Sequence, residues 1–271
     1  MKSIRVGNIP IEFDPGEEAT AEQIGGAVEK AIRLAGELWG LKEPADCRII
    51  VMTSWQDFIL RSAPWAWRII LALTFPVWLF RMQRMWPYAG AWTQSFGKRS
   101  AIGVKPPRLL LAGDRSIGAR IFIEEQDMNV KMRHLTCHEL VHACAAGLRL
   151  PMWRNEGIAM ATVDAFLEKP TVRRESLELL RTFIPKAAPP TYQKLSRMRG
   201  EAIAYHTARG YWLVRYLEAK RPGFVKRAFT EYKDARTFER GMIAELGMAP
   251  ADFWAKIDGA VADFFDKLPP P

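Results

Sequence analysis

The stretch His138-Glu139-Leu140-Val141-His142 carries the residue types and the spacing best suited to chemistry in this chain. It has the form H-E-x-x-H, a zinc-binding helix signature. Residues four apart lie on the same face of a helix, so two imidazoles at this spacing can bind one tetrahedral metal ion. Glu139, beside the first His, can accept a proton from a metal-bound water. We therefore predict His138 and His142 as zinc ligands and Glu139 as the general base.

The third ligand must come from another element, because one helix cannot surround a metal ion. Glu156 follows His142 by fourteen positions. Gly147 favours the end of the first helix, and a second helix beginning near Arg154 or Asn155 would bring Glu156 back in its first turn. Two His and one Glu, with water in the open fourth position, form the catalytic pattern of a zinc site.

His134 is the competing third ligand, since it continues the i, i+4 series with His138 and His142. Eight residues of helix rise about 12 Å, which is too far for one coordination sphere with ligand bonds near about 2 Å. We therefore expect His134 to line the site, to support a ligand, or to be a polar residue of the helix's first turn.

Both motifs together resemble a known group of enzymes. The segments His-Glu-Leu-Val-His (138–142) and Leu-Pro-Met-Trp-Arg-Asn-Glu-Gly-Ile-Ala (150–159) resemble the gluzincin clan of zinc metallopeptidases, and most of all the peptidase MA-like domains of bacteria. The opening of the chain, up to Leu-Trp-Gly-Leu at 38–41, is similar to the start of those domains, as is Tyr205 with the aromatic run 211–217. The resemblance covers most of the chain apart from an insertion near 62–90.

This resemblance implies a fold and an activity. The implied fold is α+β and zincin-like, with two lobes: a small mixed sheet with the H-E-x-x-H helix, and a helical C-terminal lobe. We place the lobes at 1–150 and 151–271. The implied activity is hydrolysis of peptide bonds in a peptide or protein substrate by a zinc-activated water. The chain lacks the Gly-Ala-Met-Glu-Asn segment by which aminopeptidases of this clan hold a substrate amino terminus, so we expect an endopeptidase or a peptidase of unknown directionality.

Peptide hydrolysis also needs a hydrogen-bond donor to the oxyanion that forms on the attacked carbonyl. In related peptidases a downstream Tyr or His supplies it, and Tyr205 and His206 open the corresponding helix here. In related aminopeptidases the Tyr lies three residues before the glycine of a Lys-Gly pair. In this chain the corresponding position before Gly210 is Thr207, which departs from that pattern. We predict Tyr205 as the catalytic donor, with His206 and Tyr211 as alternatives.

Composition limits the classes of protein to consider. The chain has 271 residues, of which 49% are hydrophobic, so it can bury a substantial core. Its formal net charge is +9, but we find no nucleic-acid-binding motif and expect no nucleic-acid partner. The first thirteen residues lack the apolar run of a signal peptide, and three cysteines fit no disulfide framework. We expect reduced thiols and a cytoplasmic location; the sequence does not predict an oligomeric state.

Local patterns predict the elements that position the site. Alternating apolar residues in 4–13 and the apolar runs 48–53, 108–112 and 120–124 predict strands, with 48–53 central. Asp14 is a suitable N-cap for a long helix ending before Gly40. The resemblance implies that the strand before the zinc-binding helix, 120–124, forms the cleft edge that pairs with an extended peptide. After Glu156 we predict helices at 156–167, 172–183, 201–220, 223–232, 237–246 and 250–268.

The insertion at 62–92 has an unusual composition. Its part 64–92 contains five tryptophans and three arginines around a twelve-residue uncharged run, 69–80, which is too short to cross a bilayer. Tryptophan and arginine around a short apolar run suit an element at an anionic membrane surface, peripheral at the inner face. The alternative is a helical hairpin packed on the lobe. The insertion also motivates a second function, a membrane-surface binding or scaffold protein with a structural zinc site.

Overall fold

The computed structural model describes residues 1–75, 83, 86–87, 89–97, 99–110, 118–148, 150–183, 189–191, 194, 198, 200–232 and 234–268. Close contacts divide the chain into two units. The first comprises Met1–Arg33, Lys42–Asp114 and Glu124–Gly147, and the second comprises Leu34–Leu41, Arg115–Ile123 and Leu148–Pro271. A unit of close contacts need not fold alone, so the domains predicted at 1–150 and 151–271 stay a prediction.

The first unit contains a five-stranded mixed sheet. Its strands are β1 (Lys2–Val6), β2 (Ile9–Phe13), β3 (Asp46–Val51), β4 (Ala91–Phe96) and β5 (Arg99–Val104). They lie in the order β1-β2-β3-β5-β4, so β3 is central. The outer pairs β1–β2 and β4–β5 are antiparallel, whereas β2–β3 and β3–β5 are parallel. With the helices described below, the sheet makes this an α+β protein, as predicted.

The strands follow from the alternation of apolar residues. In β2 the side chains of Ile9, Ile11 and Phe13 are buried while the residues between them are half-buried, which is the period of two that a strand requires. Gly7, at φ +55°, occupies the turn between β1 and β2. The predictions for 4–13 and for a central strand near 48–53 are therefore confirmed, with β3 displaced two residues towards the N-terminus.

The β4–β5 hairpin was not predicted. Gly97 lies in its turn at φ +64°, where a residue without Cβ is favoured, and Phe96 pairs with Arg99 across it. A glycine between two short strand-like runs was the available signal. The edge strand β4 begins within the predicted insertion 62–92, so the sequence pattern did not identify it as a strand.

Two predicted strands are wrong in the described residues. In 108–112, the residues Pro107–Leu109 form a 3-10 turn, and Leu111 and Ala112 lie outside the described residues. In 120–124, a 3-10 turn covers Gly118–Arg120, and one isolated antiparallel bridge joins Phe122 to Val172. A short apolar run does not by itself distinguish a strand from a turn, because about five residues are too few to show a period.

Helix α1 (Glu18–Trp39) follows β2 and ends as predicted. Gly40 follows it at φ +70°. Its start is later than the predicted cap at Asp14, whose carboxylate instead accepts a hydrogen bond from Thr53 Oγ1 and pairs with Arg61. The cap prediction therefore failed, because a tertiary partner recruited the side chain that the local pattern assigned to the helix.

Among the described residues, the first unit contains three further helices. These are α2 (Trp55–Ser62), α3 (Trp65–Leu73) and α4 (Met128–Ala145). Ser54 caps α2 by accepting a hydrogen bond from the backbone N–H of Asp57, and α2 lies against β5. The buried side of α2 and the neighbouring strands form an apolar cluster of Ile50, Met52, Trp55, Phe58, Ile59 and Ala101.

The second unit is helical in the part that the structure describes, as predicted. Its helices after Gly147 are α5 (Met152–Leu167), α6 (Leu177–Thr182), α7 (Gly200–Lys220), α8 (Phe224–Glu231), α9 (Ala235–Glu245) and α10 (Phe253–Asp266). Asp234 caps α9 in a capping box with Thr237. Among the described residues, no helix combines the length and the apolar character needed to cross a bilayer.

The three cysteines are free, in agreement with the predicted reduced thiols. Cys47 and Cys137 are buried and Cys144 is half-buried. Burial raises the pKa of each thiol to about 12, because an apolar environment disfavours the thiolate. These side chains are therefore unreactive packing residues at neutral pH.

Candidate metal centre

Helix α4 brings His138 and His142 together, as the spacing predicts. Asp127 caps the helix by accepting hydrogen bonds from the backbone N–H groups of Asn129 and Val130 at 2.8 and 3.3 Å. The Nε2 atoms of the two imidazoles are 3.0 Å apart, and the ring planes are nearly perpendicular at 88°. Both side chains are half-buried. The two ring nitrogens therefore approach one common point, as two ligands of a single ion must.

The sheet supports α4 from the side. The helix lies against β4 and β5, and the buried side chains of Leu140 and Val141 belong to its apolar face. Thr93 of β4 donates its hydroxyl hydrogen bond to the backbone carbonyl of Glu139 at 3.2 Å. This contact ties the edge strand to the turn of helix that carries the predicted base. Sequence reasoning missed Thr93 because it missed β4.

Glu139 is buried, with 9% of its surface exposed. Burial of a carboxylate is unfavourable unless charge or hydrogen bonding compensates it. A divalent cation beside the flanking His ligands would supply such compensation. The position therefore suits the predicted base, whereas an incidental Glu on this helix would be expected to face solvent.

Glu156 lies on α5, which begins at Met152 with Pro151 preceding it. The predicted start near Arg154 was two residues too late, so Glu156 falls in the second turn and not in the first. Pro151 is extended at φ −60° and ψ 147°, as proline commonly is before a helix. The side chain of Glu156 is half-buried.

Aromatic packing holds the first turn of α5. Trp153 contacts Phe238 and Trp254, with ring centroids 6.0 and 6.3 Å away. The buried guanidinium of Arg154 lies 3.8 Å from the ring centroid of Phe238 and 5.2 Å from that of Phe229. This environment lowers the Arg154 pKa to about 10 through burial. Both residues anchor α5 just before Glu156.

A close glycine contact fixes α5 against α7. A Cβ on Gly157 would lie 2.3 Å from the carbonyl oxygen of Gly210, and one on Gly210 would lie 2.5 Å from that of Trp153. Neither position therefore accepts a side chain without backbone movement. The next residue of α7, Tyr211, donates a hydrogen bond from its hydroxyl to Asp164 of α5 at 2.6 Å. Glu156 thus neighbours a close helix contact between α5 and α7.

His138, His142 and Glu156 form a group that could hold a metal ion. One ligand atom from each residue lies within 4.8 Å of the others. Two imidazole nitrogens and a carboxylate oxygen are the donor types of catalytic zinc sites, and three protein ligands leave one tetrahedral position for water. The residues therefore fit the predicted ion in chemistry and in proximity. His134, the rejected alternative, is not a member of this group.

Tyr205 is fully buried, and its hydroxyl donates to Asp258 Oδ2 at 2.5 Å. Asp258 also accepts from Arg209 Nε at 2.7 Å, and Arg209 donates to the carbonyl of Trp254. Burial raises the Tyr205 pKa, and the carboxylate of Asp258 adds to the effect. The oxyanion role of Tyr205 stays a prediction; its hydroxyl proton is committed to Asp258 in this structure.

The two alternative donors differ in their hydrogen bonding. Tyr211 donates to Asp164, which also accepts from the backbone N–H and the hydroxyl of Thr171. His206 is buried, and among the residues that the structure describes none forms a hydrogen bond with its Nδ1. Burial, and next the positive charge of Arg209, lower the His206 pKa to about 4, so the ring is neutral at pH 7. His206 therefore differs from the two tyrosines in that the described residues do not engage its buried Nδ1.

Comparison with known proteins adds no family assignment. No family of known proteins matches the chain, and no curated protein matches it significantly. The residues of the site and their geometry are therefore what indicates a function.

Proposed function

We propose that this protein is a zinc-dependent peptidase that cleaves internal peptide bonds, with a zincin-like fold and a cytoplasmic location. The observation that carries the proposal is the proximity of His138, His142 and Glu156 together with a buried Glu139 one residue after the first ligand. A site that binds zinc only for structure is usually closed by four protein ligands and needs no adjacent carboxylate. Three ligands and a carboxylate favour catalysis.

The roles of the residues follow from this arrangement. Bound Zn²⁺ would supply a Lewis acid that polarises the substrate carbonyl and increases the acidity of water. Glu139 accepts a proton from the attacking water and returns it to the leaving amine nitrogen, so the site is restored after each cycle. The hydrogen bond from Thr93 to the Glu139 carbonyl restrains this turn of α4 while the proton moves.

The edge strand β4 offers a way to bind the substrate. The sheet order makes β4 the terminal strand, paired with β5 along one side, and Thr93 links β4 to the helix that carries Glu139. An extended peptide could add to the other side of β4 through main-chain hydrogen bonds. Such binding tolerates varied side chains, which suits an endopeptidase. In this proposal β4 takes the role that the sequence had suggested for 120–124.

For the oxyanion donor we keep Tyr205 as the predicted residue and place His206 beside it as the alternative. The bond from Tyr205 to Asp258 must break or be shared if Tyr205 is to donate to a substrate. His206 would donate from a neutral ring, and no hydrogen bond from its Nδ1 to a described residue would have to break first. Replacing each residue separately distinguishes the two, since the true donor should lower kcat by about a hundredfold.

The experiment that tests the proposal combines metal analysis with a peptide digest. The purified protein should contain about one zinc ion per chain and should cleave a proteome-derived peptide library at internal bonds. His142→Ala and Glu156→Ala should each lose most of the zinc and the cleavage. His134→Ala is the matched control, because it replaces a half-buried His of α4 outside the ligand group and should retain zinc. Full zinc content in both ligand variants would refute the site.

The second candidate function is a membrane-surface binding or scaffold protein with a structural zinc site. It predicts that zinc is bound but that the library is not cleaved under any condition tested. The exposed apolar surface of α3 is the observation that favours this alternative. Membrane contact and hydrolysis are compatible in one protein.

A further inference from the structure

Helix α3 (Trp65–Leu73) leaves apolar side chains in solvent. None of its residues is buried. Ten large hydrophobic residues are exposed in the part of the chain that the structure describes, and five of them belong to this nine-residue helix. These five are Trp65, Trp67, Ile69, Ile70 and Leu73. Such a cluster on a folded protein marks a surface that contacts another apolar phase.

One stripe of α3 is especially exposed. Trp65, Ile69 and Leu73 are four residues apart in turn, so they lie along one side of the helix, with 76%, 55% and 78% of their surfaces exposed. The helix's one charged residue, Arg68, is directed to backbone carbonyls: it donates to Ala63 at 2.9 Å and to Arg61 at 3.3 Å. The exposed stripe is therefore purely apolar.

The base of the helix is anchored to the core. Leu71 and Phe75 pack against the buried cluster beneath α2, and Phe75 stacks on Trp55 with ring centroids 6.2 Å apart. Trp67 contacts Phe96 of β4 at 6.1 Å between centroids. The stripe is thus exposed on a helix whose other side packs against the protein, and the helix is not a detached segment.

The surrounding sequence carries an unbalanced positive charge. Residues 58–113 contain eight lysines and arginines and no aspartate or glutamate. The whole chain has 39 basic and 30 acidic residues, so the remaining 31 basic and 30 acidic residues nearly cancel. Along the sequence this segment therefore contributes +8 of the net charge of +9, and in the structure Arg61, Arg99 and Arg108 of the segment form ion pairs with acidic residues outside it. A surface carrying negative charge is the complementary partner.

We propose that α3 inserts its apolar stripe into the interface of an anionic lipid bilayer. The helix is too short to cross a bilayer: nine residues extend about 14 Å, against about 30 Å of hydrocarbon. It suits a helix lying in the interface, where Trp rings sit at the headgroup level and basic residues attract anionic lipid. Helix α3 itself contains no acidic residue, and its exposed stripe is rich in tryptophan and aliphatic side chains, which favours a lipid surface. This inference does not depend on peptidase activity.

Vesicle co-sedimentation of the full chain tests the proposal. Phosphatidylcholine vesicles containing phosphatidylglycerol should bind the protein, phosphatidylcholine alone should bind it at least about tenfold more weakly, and high salt should weaken binding. The variant Trp65→Ser/Ile69→Ser/Leu73→Ser should bind the anionic vesicles at least about tenfold more weakly, because it removes the apolar stripe and keeps every charge.

The matched control is Leu148→Ser/Leu268→Ser, which removes two exposed leucines outside α3 and should bind like the wild type. Circular dichroism verifies that each variant is folded. Equal binding to both vesicle types, or undiminished binding of the α3 variant, would overturn the proposal. Failure to bind any vesicle would also overturn the proposal. In that case, concentration-dependent self-association that the α3 substitutions abolish would identify the stripe as a protein-protein contact.

Discussion

Helices α3 and α4 lie in the same unit and depart from ordinary helix patterning in opposite ways. Helix α4 turns chemically reactive residues inward: Glu139 is buried, and His138 and His142 are half-buried. Helix α3 turns apolar residues outward, and none of its residues is buried. A surface helix normally does the reverse of each. Both arrangements cost folding free energy, so each is evidence that something beyond the fold determines the residues.

The comparison also shows two kinds of compensation. On α4 the compensation is local chemistry, because a cation between three ligands would satisfy their lone pairs. On α3 the described residues do not cover the exposed apolar stripe, so a partner outside the chain must remove it from water. Buried polar side chains therefore indicate a binding or catalytic site, and exposed apolar side chains indicate a surface that contacts a partner.

The largest effect should come from Glu139→Gln. The substitution retains size but removes the base, so we expect cleavage of peptide substrates to fall at least about a hundredfold while zinc stays bound. Measurement of kcat and of zinc content by elemental analysis checks both parts. Glu22→Gln, on the exposed side of α1, is the control and should leave turnover unchanged. Unchanged turnover in the Glu139 variant would show that Glu139 is not the general base.

The next effect should come from Gly157→Ala. Its Cβ would meet the Gly210 carbonyl oxygen at 2.3 Å, so α5 and α7 must separate, and we expect a loss of about 2–3 kcal/mol in the free energy of unfolding. The control is Gly259→Ala, on α10, where a Cβ meets open space and better helix propensity should slightly stabilise the protein. Urea denaturation measures both. Equal stability of the two variants would mean that this glycine contact does not fix α5.

A smaller effect should appear in the pH dependence of stability. His206 has a pKa of about 4 when folded, below the ordinary value of about 6.5, because burial disfavours the imidazolium. The unfolded state then binds more protons, so the stabilisation is complete above about pH 6.5 and is lost as pH falls towards about 4. Between pH 7.5 and pH 5 we expect a loss of about 1–2 kcal/mol from this residue. Urea denaturation at both pH values should show a smaller loss in His206→Gln; an equal loss would contradict the assignment.

The smallest effect should come from removing the α3 stripe. Because Trp65, Ile69 and Leu73 are mostly exposed, Trp65→Ser/Ile69→Ser/Leu73→Ser should change the free energy of unfolding by no more than about 0.5 kcal/mol in the absence of lipid. Trp55→Ala, in the buried cluster, is the contrasting variant and should cost about 3–5 kcal/mol. Comparable losses in the two variants would show that the stripe is core, which would end the contrast between α3 and α4.

Short-range patterns predicted well the elements whose signal is repeated along the chain. The alternation in β2, the apolar face of α1 and the helices after Gly147 were all found near their predicted positions. The misassigned runs near 108–112 and 120–124 contain too few residues for a period to be recognised. Asp14 shows another limit, since a good cap became a partner of Arg61 and Thr53 instead. Tertiary contacts of that kind cannot be deduced from one sequence, because they join residues far apart in the chain.

The sequence by itself determined the pairing of His138 and His142, because helix geometry alone brings residues four apart to one face. It also identified Glu156 as a third ligand candidate and the insertion as an unusual segment. Only the tertiary structure brought Glu156 near the two imidazoles, made β4 an edge strand tied to Glu139 through Thr93, and committed the Tyr205 hydroxyl to Asp258. It also decided that α3 presents its apolar stripe to solvent. Exposure and long-range hydrogen bonding depend on which elements pack together, and that is a property of the whole fold.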